Sequence, residues 1–290
     1  MQCFYDSPMI RLNARFGRWV KTLRRTVLIT AVAAYATPAL ARDSELHSFH
    51  CLFGCPVGAP STNDTVVREI YTLSSNDLTK LADWVAYRVT PASIGPSADR
   101  DWRTDPSLGV DETLTPDAYG GANQALRTDR GHQAPLAAFS GTPFAADTNI
   151  LSNITPQASA LNQGPWNALE GQERSLAQRL NTAVYVYTGP LFERLMAPLP
   201  AGPLLARVPS GYWKVVALAD GRMSAFVFDQ ATPRTFDYCA GRVSLTHVVL
   251  RSRLILFPMA NAALFRSLDG EIGCTSPRPS EPAPSTVPPE

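Results

Sequence analysis

The feature that most constrains the fold is a series of short runs rich in β-branched and aromatic residues, joined by irregular polar segments. The runs are 66–73 (VVREIYTL), 82–89 (ADWVAYRV), 183–188 (AVYVYT), 212–218 (YWKVVAL) and 223–228 (MSAFVF), and each reads as a strand. A doubly wound parallel sheet would need a helix between each pair of strands, and no such βαβ rhythm is present. The expected fold class is therefore α+β, a central antiparallel β-sheet flanked by helices. Ser74, Ser75, Asn76 and Asp77 supply turn chemistry between the first two runs and predict a hairpin there.

Two helices are expected near the middle of the chain. One starts at Thr155-Pro156-Gln157, with threonine as cap and proline in the first turn. The other follows Gly164-Pro165, where Trp166, Leu169, Leu176 and Leu180 recur at helical spacing and Glu170 and Arg174 stand four residues apart. Residues 243–257 read as a helix followed by an extended run. The stretch from Pro91 to Gln124, which carries Arg100-Asp101-Trp102-Arg103, is rich in Pro, Gly, Asp, Thr and Ser and reads as a long loop. Ordered loops of that length are often functional.

The two ends read differently from the middle. Arg11, Arg15, Arg18, Lys21, Arg24 and Arg25 precede a short apolar run, Val27 to Tyr35, and then Ala39-Leu40-Ala41. This is the pattern of a cleaved secretory signal over 1–41, and the run is too short to span a bilayer, which takes ~20 residues. The mature chain is expected to start at Arg42 and to be secreted or periplasmic, without stable membrane association. Residues 275–290 (TSPRPSEPAPSTVPPE) have a composition that cannot pack a core and read as a disordered Pro-rich tail, leaving 42–274 as one domain. Without 1–41 the chain keeps 20 basic and 24 acidic residues, so net charge offers no general attraction to a polyanion and any such site must be local. Cys51, Cys55, Cys239 and Cys274 form an even set with three possible pairings. The preferred one is Cys51 with Cys55 and Cys239 with Cys274, because C-x-x-x-C can close a small loop. The alternative, a four-cysteine zinc site, lacks paired C-x-x-C knuckles.

The richest chemistry lies in T-D-R-G-H-Q-A-P-L, from Thr128 to Leu136. His132 offers a proton acceptor near neutral pH, Arg130 a guanidinium for an anionic oxygen, and Gly131 room for a close approach. Walker-type, H-E-x-x-H and G-x-S-x-G motifs are absent from the sequence, which argues against nucleotide-loop, common zinc-peptidase and α/β-hydrolase chemistry.

Downstream stand S-N-I-T-P-Q (Ser152 to Gln157) and L-N-Q-G-P-W-N-A-L-E-G-Q-E-R (Leu161 to Arg174). Together with D-R-G-H they resemble the DNA/RNA non-specific endonucleases of the ββα-metal superfamily, and the likeness extends from about Cys51 to Cys274. The resemblance implies His132 as general base and Asn162 as the direct protein ligand of Mg2+, for which Mn2+ is a possible substitute. It implies Glu170 as a carboxylate reaching the metal through water, Arg100 and Arg130 as phosphate-facing donors, Arg174 as a further positioner, and Asn153 and Asp129 as orienters. His47, His50 and His247 have no such context and read as structural or surface residues. Trp166 reads as core.

The implied activity is hydrolysis of DNA and RNA phosphodiesters, leaving 5'-phosphate ends, by a chain that the resemblance makes a possible homodimer. Two other readings are a non-cleaving nucleic-acid-binding protein on the same fold and a secreted phosphodiesterase for small diesters.

Overall fold

The computed structural model describes residues 47–96, 98–203 and 206–278, and all of them belong to one unit, Arg42–Glu290. The expected signal segment 1–41 and residues 279–290 of the expected tail lie outside the described residues. Ten strands are described: β1 (Asp64–Val67), β2 (Tyr71–Ser75), β3 (Ala82–Val89), β4 (Thr128–His132), β5 (Ile154–Ala158), β6 (Val184–Leu191), β7 (Gly211–Ala217), β8 (Arg222–Asp229), β9 (Arg242–Val243) and β10 (Arg266–Ser267). Eight form a sheet in the order β1-β2-β3-β6-β7-β8-β10, with β9 also on β8. Every pairing in it is antiparallel except β8 with β10, and β4 and β5 make a separate antiparallel pair. The helices are α1 (Ala122–Leu126), α2 (Leu136–Phe139), α3 (Ser159–Leu161), α4 (Asn167–Leu180) and α5 (Leu245–Ser252).

The strand period of two sorts side chains onto two buried faces. Along β7, Tyr212 and Val216 join the cluster that contains Leu169, Leu176 and Ala177 of α4. Trp213, Val215 and Ala217 join the opposite cluster, with Val248 of α5, Leu254 and Phe257. Leu169 and Leu176 are fully buried, and burial of each contributes about 1.5–3 kcal/mol. These contacts hold α4 against the sheet. A third cluster, with Leu114, Tyr119, Leu151 and Ile154, packs the long loop against the β4–β5 pair.

The antiparallel sheet, the β2–β3 hairpin and strands β6, β7 and β8 match the sequence reading, as does the helix-then-extended reading of 243–257. Both expected disulfides are formed, Cys51–Cys55 and Cys239–Cys274. Three expectations need correction. The run 66–73 is two strands, because the chain turns at Arg68, whose N–H donates to the Tyr71 carbonyl (2.9 Å). Thr155-Pro156-Gln157 starts no helix: it lies within β5, where Pro156 stands opposite Arg130. Proline is tolerated there because the strand pairs with β4 alone, so the missing N–H breaks no second ladder. The Pro156 carbonyl faces the large sheet instead, accepting from Tyr212 Oη (3.1 Å) and Gln230 Nε2 (2.8 Å). Leu180, which continues the helical spacing of Trp166, Leu169 and Leu176, does not share their burial and is 38% exposed at the end of α4. The start of the expected disordered tail is ordered: residues 275–278 run against Arg242, whose Nη2 donates to the Ser276 carbonyl (2.7 Å).

His50 illustrates a structural histidine. Its Nδ1 bonds Thr72 Oγ1 (2.9 Å) and its Nε2 the Glu69 carbonyl (3.2 Å). Burial lowers its pKa from 6.5 to about 4, with the Glu69 contact opposing and the Arg88 charge adding. The folded value lies below the unfolded one, so stability is complete above pH 6.5 and is lost as pH falls towards 4. Over that interval the melting temperature of His50→Gln is expected to fall less with pH than that of the native chain. Equal slopes would show that His50 contributes nothing to acid sensitivity.

Candidate active site

The β4–β5 pair and the N-terminal end of α4 meet at a cleft of about 680 Å³, lined by Arg100, Trp102, Asp129, Arg130, His132, Asn162, Glu170 and Arg234 among others. Register explains the first part. On β4, Asp129, Arg130 and His132 stand opposite Gln157, Pro156 and Ile154, and Asp129, Arg130 and His132 are all partly exposed towards the cleft. Gly131 is required for packing across this pair rather than for a substrate: a Cβ there would lie 2.6 Å from Gln157 Cβ.

His132 is half-buried, and its Nε2 lies 3.0 Å from Asn149 Oδ1. The Asn149 Nδ2 donates to the Asp99 carbonyl (3.2 Å), which identifies Oδ1 as the end facing the imidazole. Nε2 therefore carries the proton and Nδ1 is left as a lone-pair base with no protein partner among the described residues. Burial lowers the His132 pKa to about 4, with the Asn149 contact opposing and the Arg100 charge adding. The imidazole is thus neutral at pH 7. Asn153 lies outside the cleft lining, fully buried, and clamps the chain just past His132. Its Oδ1 accepts from Ala134 N (2.8 Å), while its Nδ2 donates to the Ala134 and Thr148 carbonyls (both 2.9 Å).

Asp129 organises the other half of the cleft. It accepts from Asn123 Nδ2 (3.2 Å), Ser159 Oγ (2.6 Å), Asn162 Nδ2 (3.0 Å) and Gln163 Nε2 (2.8 Å). Burial pushes its pKa up, but these four bonds outweigh it and the net shift is downward. A carboxylate only accepts, so Asn162 must present its amide nitrogen to Asp129. The amide oxygen, Oδ1, is then unpaired among the described residues on the cleft side. A carbonyl oxygen beside a carboxylate is the hard donor set that a divalent cation takes, so these residues fit the metal that the resemblance implies.

Glu170 completes this side. Burial pushes its pKa up to about 7, with Lys214 opposing and Glu173 adding. It is no surface partner of Arg174. Instead its Oε1 lies 3.8 Å from Nζ of Lys214, which is fully buried and donates to Glu173 Oε1 (2.9 Å). Arg174, one turn further along α4, is absent from the cleft lining and has a buried Nη1 without a hydrogen-bond partner.

Arg130 is held by its surroundings. Its guanidinium lies 5.5 Å from the Trp102 ring centre and 5.4 Å from that of Tyr119, and Nη2 donates to the Pro116 carbonyl (2.9 Å). The Trp102 ring is also 5.4 Å from the His132 ring. Arg100 is exposed on the cleft, whereas Arg103 is turned away to Asp147. Trp166 is core, as expected.

Asn149, Trp102, Lys214 and Arg234 are not among the residues singled out from the sequence. A lysine inside the apolar run Y-W-K-V was the available signal for Lys214. Asn149 had none, because its role depends on a fold-dependent contact 17 residues from His132.

Residues 54–254 match the DNA/RNA non-specific endonuclease family. The chain is 46% identical over 233 residues to a nuclease of Serratia marcescens, covering 78% of this chain and 87% of that protein. It is 30% identical over 239 residues to nuclease C1 of Cunninghamella echinulata var. echinulata, covering 75% and 92%. A solved structure of an EndoG/EndoGI complex contains a similar fold, with a TM-score of 0.60 at 23% identity over 72% of this chain and 92% of that one. The cleft is therefore set in a scaffold shared with nucleases, and the chain belongs to the DNA/RNA non-specific endonuclease family.

Proposed function

We propose that the chain is an exported, Mg2+-dependent endonuclease that hydrolyses DNA and RNA with His132 as general base and leaves 5'-phosphate ends. The observation that carries this reading is the pair of fixed orientations in one cleft. His132 is tied through Nε2 so that Nδ1 is free, and Asn162 is tied through Nδ2 so that Oδ1 is free. Nδ1 takes the proton of an attacking water, a step for which a neutral imidazole is suited. Arg100 and Arg130 bind the non-bridging oxygens of the scissile phosphate and stabilise the charge that develops there. Arg130 does so from between two rings, which limit its reorientation. Asn162 would hold the cation directly and Glu170 through water; when bound, the cation supplies Lewis-acid stabilisation of the phosphate and leaving oxygen. Mn2+ is expected to substitute.

These donors address phosphate rather than base edges, which supports action on DNA and RNA alike. Export rests on the sequence of 1–41, with 42–274 as the working domain, and a homodimer rests on the family resemblance alone.

The test is incubation of supercoiled plasmid with the chain from Arg42, in Mg2+ and in EDTA, followed by end labelling. The expected result is digestion in Mg2+ only, giving ends that accept label after phosphatase treatment. Digestion in EDTA would remove the metal from the mechanism. A plasmid bound but intact would indicate a non-cleaving binding protein.

A further inference from the structure

We propose that Arg234 is a second phosphate contact, binding a backbone phosphate that flanks the scissile one on the metal side of the cleft. The inference rests on the reading of this cleft as a phosphodiester site. Arg100 stands on the imidazole side, near enough for its charge to lower the His132 pKa. Arg234 enters from elsewhere, on the loop 230–237 after β8, and also lines the cleft.

Close backbone packing places it. The turn Asn162–Trp166, which begins with the proposed metal ligand, contains Gly164 at φ −108° and ψ −113°. A Cβ at Gly164 would run into the Arg234 carbonyl oxygen and lie 2.8 Å from its Cα. Only glycine lets the Arg234 backbone lie directly on this turn, two residues from Asn162.

The loop is braced on both sides of the arginine. Gln230 donates to the Pro156 carbonyl (2.8 Å) and accepts from Ala158 N (2.9 Å), which ties the loop to β5. Thr232 N bonds the Asp229 carbonyl (3.0 Å), Phe236 N bonds the Pro233 carbonyl (3.1 Å), and Cys239 is joined to Cys274. Several arginines near the surface are paired: Arg103 with Asp147, Arg194 with Asp229, Arg222 with Asp220 and Glu271, and Arg251 with Glu193. Arg234 is exposed and has no ion pair or side-chain hydrogen bond among the described residues. A free guanidinium on a fixed backbone, in a mature chain of acidic balance, suits an anion supplied from outside. The scissile phosphate is already served by Arg100 and Arg130, so a neighbouring phosphate is the fitting ligand.

The experiment measures equilibrium binding of a labelled duplex, in Mg2+ at increasing salt, to H132A and to H132A carrying R234Q or R234K. Each phosphate contact adds about 0.9 to the slope of log affinity against log salt on duplex DNA. R234Q is expected to reduce the slope by about that amount, and R234K to restore it. The salt dependence of kcat/KM for R234Q and R234K in the otherwise native chain provides a second reading that does not depend on the role of His132, with the same expected ordering. An unchanged slope in R234Q, or a slope in R234K as low as in R234Q, would overturn the assignment. Activity surviving in H132A would count against the proposed mechanism alone, since the kcat/KM series still decides the role of Arg234.

Discussion

Replacing His132 with alanine is expected to lower kcat by about 10²–10⁴-fold, the range that a positioned general base contributes. The effect should fall on chemistry because His132 has one hydrogen-bonding side-chain partner among the described residues, Asn149, and is half-buried rather than core. An unchanged near-UV circular dichroism spectrum would show that the fold is retained. The pH profile should carry the sign of a base. With the pKa of the free protein at about 4, activity requiring neutral His132 is retained at neutral pH and lost as pH falls through that value. Turnover in His132→Ala close to that of the native chain would assign the base to another group.

The second large effect concerns stability. Lys214 is fully buried, with Nζ 2.9 Å from Glu173 Oε1, 3.3 Å from Tyr87 Oη, 3.8 Å from Glu170 Oε1 and 4.1 Å from the centre of the Trp166 ring. Glu173 is equally buried and also accepts from Tyr87 Oη (2.7 Å). Lys214→Met would leave that carboxylate without its cation in a low dielectric. Breaking such a pair costs about 3–5 kcal/mol, or roughly 6–20 °C in melting temperature for a domain of this size. Lys214→Met combined with Glu173→Leu should recover part of the loss, because removing both charges also removes their desolvation cost. Since Glu170 shares Lys214, the single variant should also weaken the cleft. A single variant that melts within about 1 kcal/mol of the native chain would show that the pair is not a stabilising unit.

Much of this organisation is legible in the sequence for local reasons. Alternation within 82–89, 212–218 and 223–228 specifies strands, and helical spacing of Trp166, Leu169 and Leu176 specifies the buried face of α4, because both periods are properties of a few consecutive residues. The motif residues His132, Asn162, Glu170, Asp129, Arg130 and Arg100 all reach one cleft. Asn153 and Arg174 do not: Asn153 acts on the backbone beyond His132, and Arg174 has a buried Nη1 away from the lining.

The failures share a cause. Thr155-Pro156-Gln157 has the local signature of a helix start, yet pairing with Gly131, Arg130 and Asp129 of β4 makes it a strand, since these distant partners outweigh a cap and a proline. Gly131 looks like room for substrate until the Gln157 side chain is found in the space its Cβ would take. By itself, the sequence determined β3, β6, β7 and β8, the sheet class, the preferred disulfide pairing and the identities of the reactive groups, because each follows from residue type at short spacing. Tertiary structure alone decided which way those groups face. Asn149 selects the free nitrogen of His132, Asp129 selects the free oxygen of Asn162, and Gly164 brings Arg234 to the rim, because hydrogen-bond orientation and close packing exist only once distant segments meet.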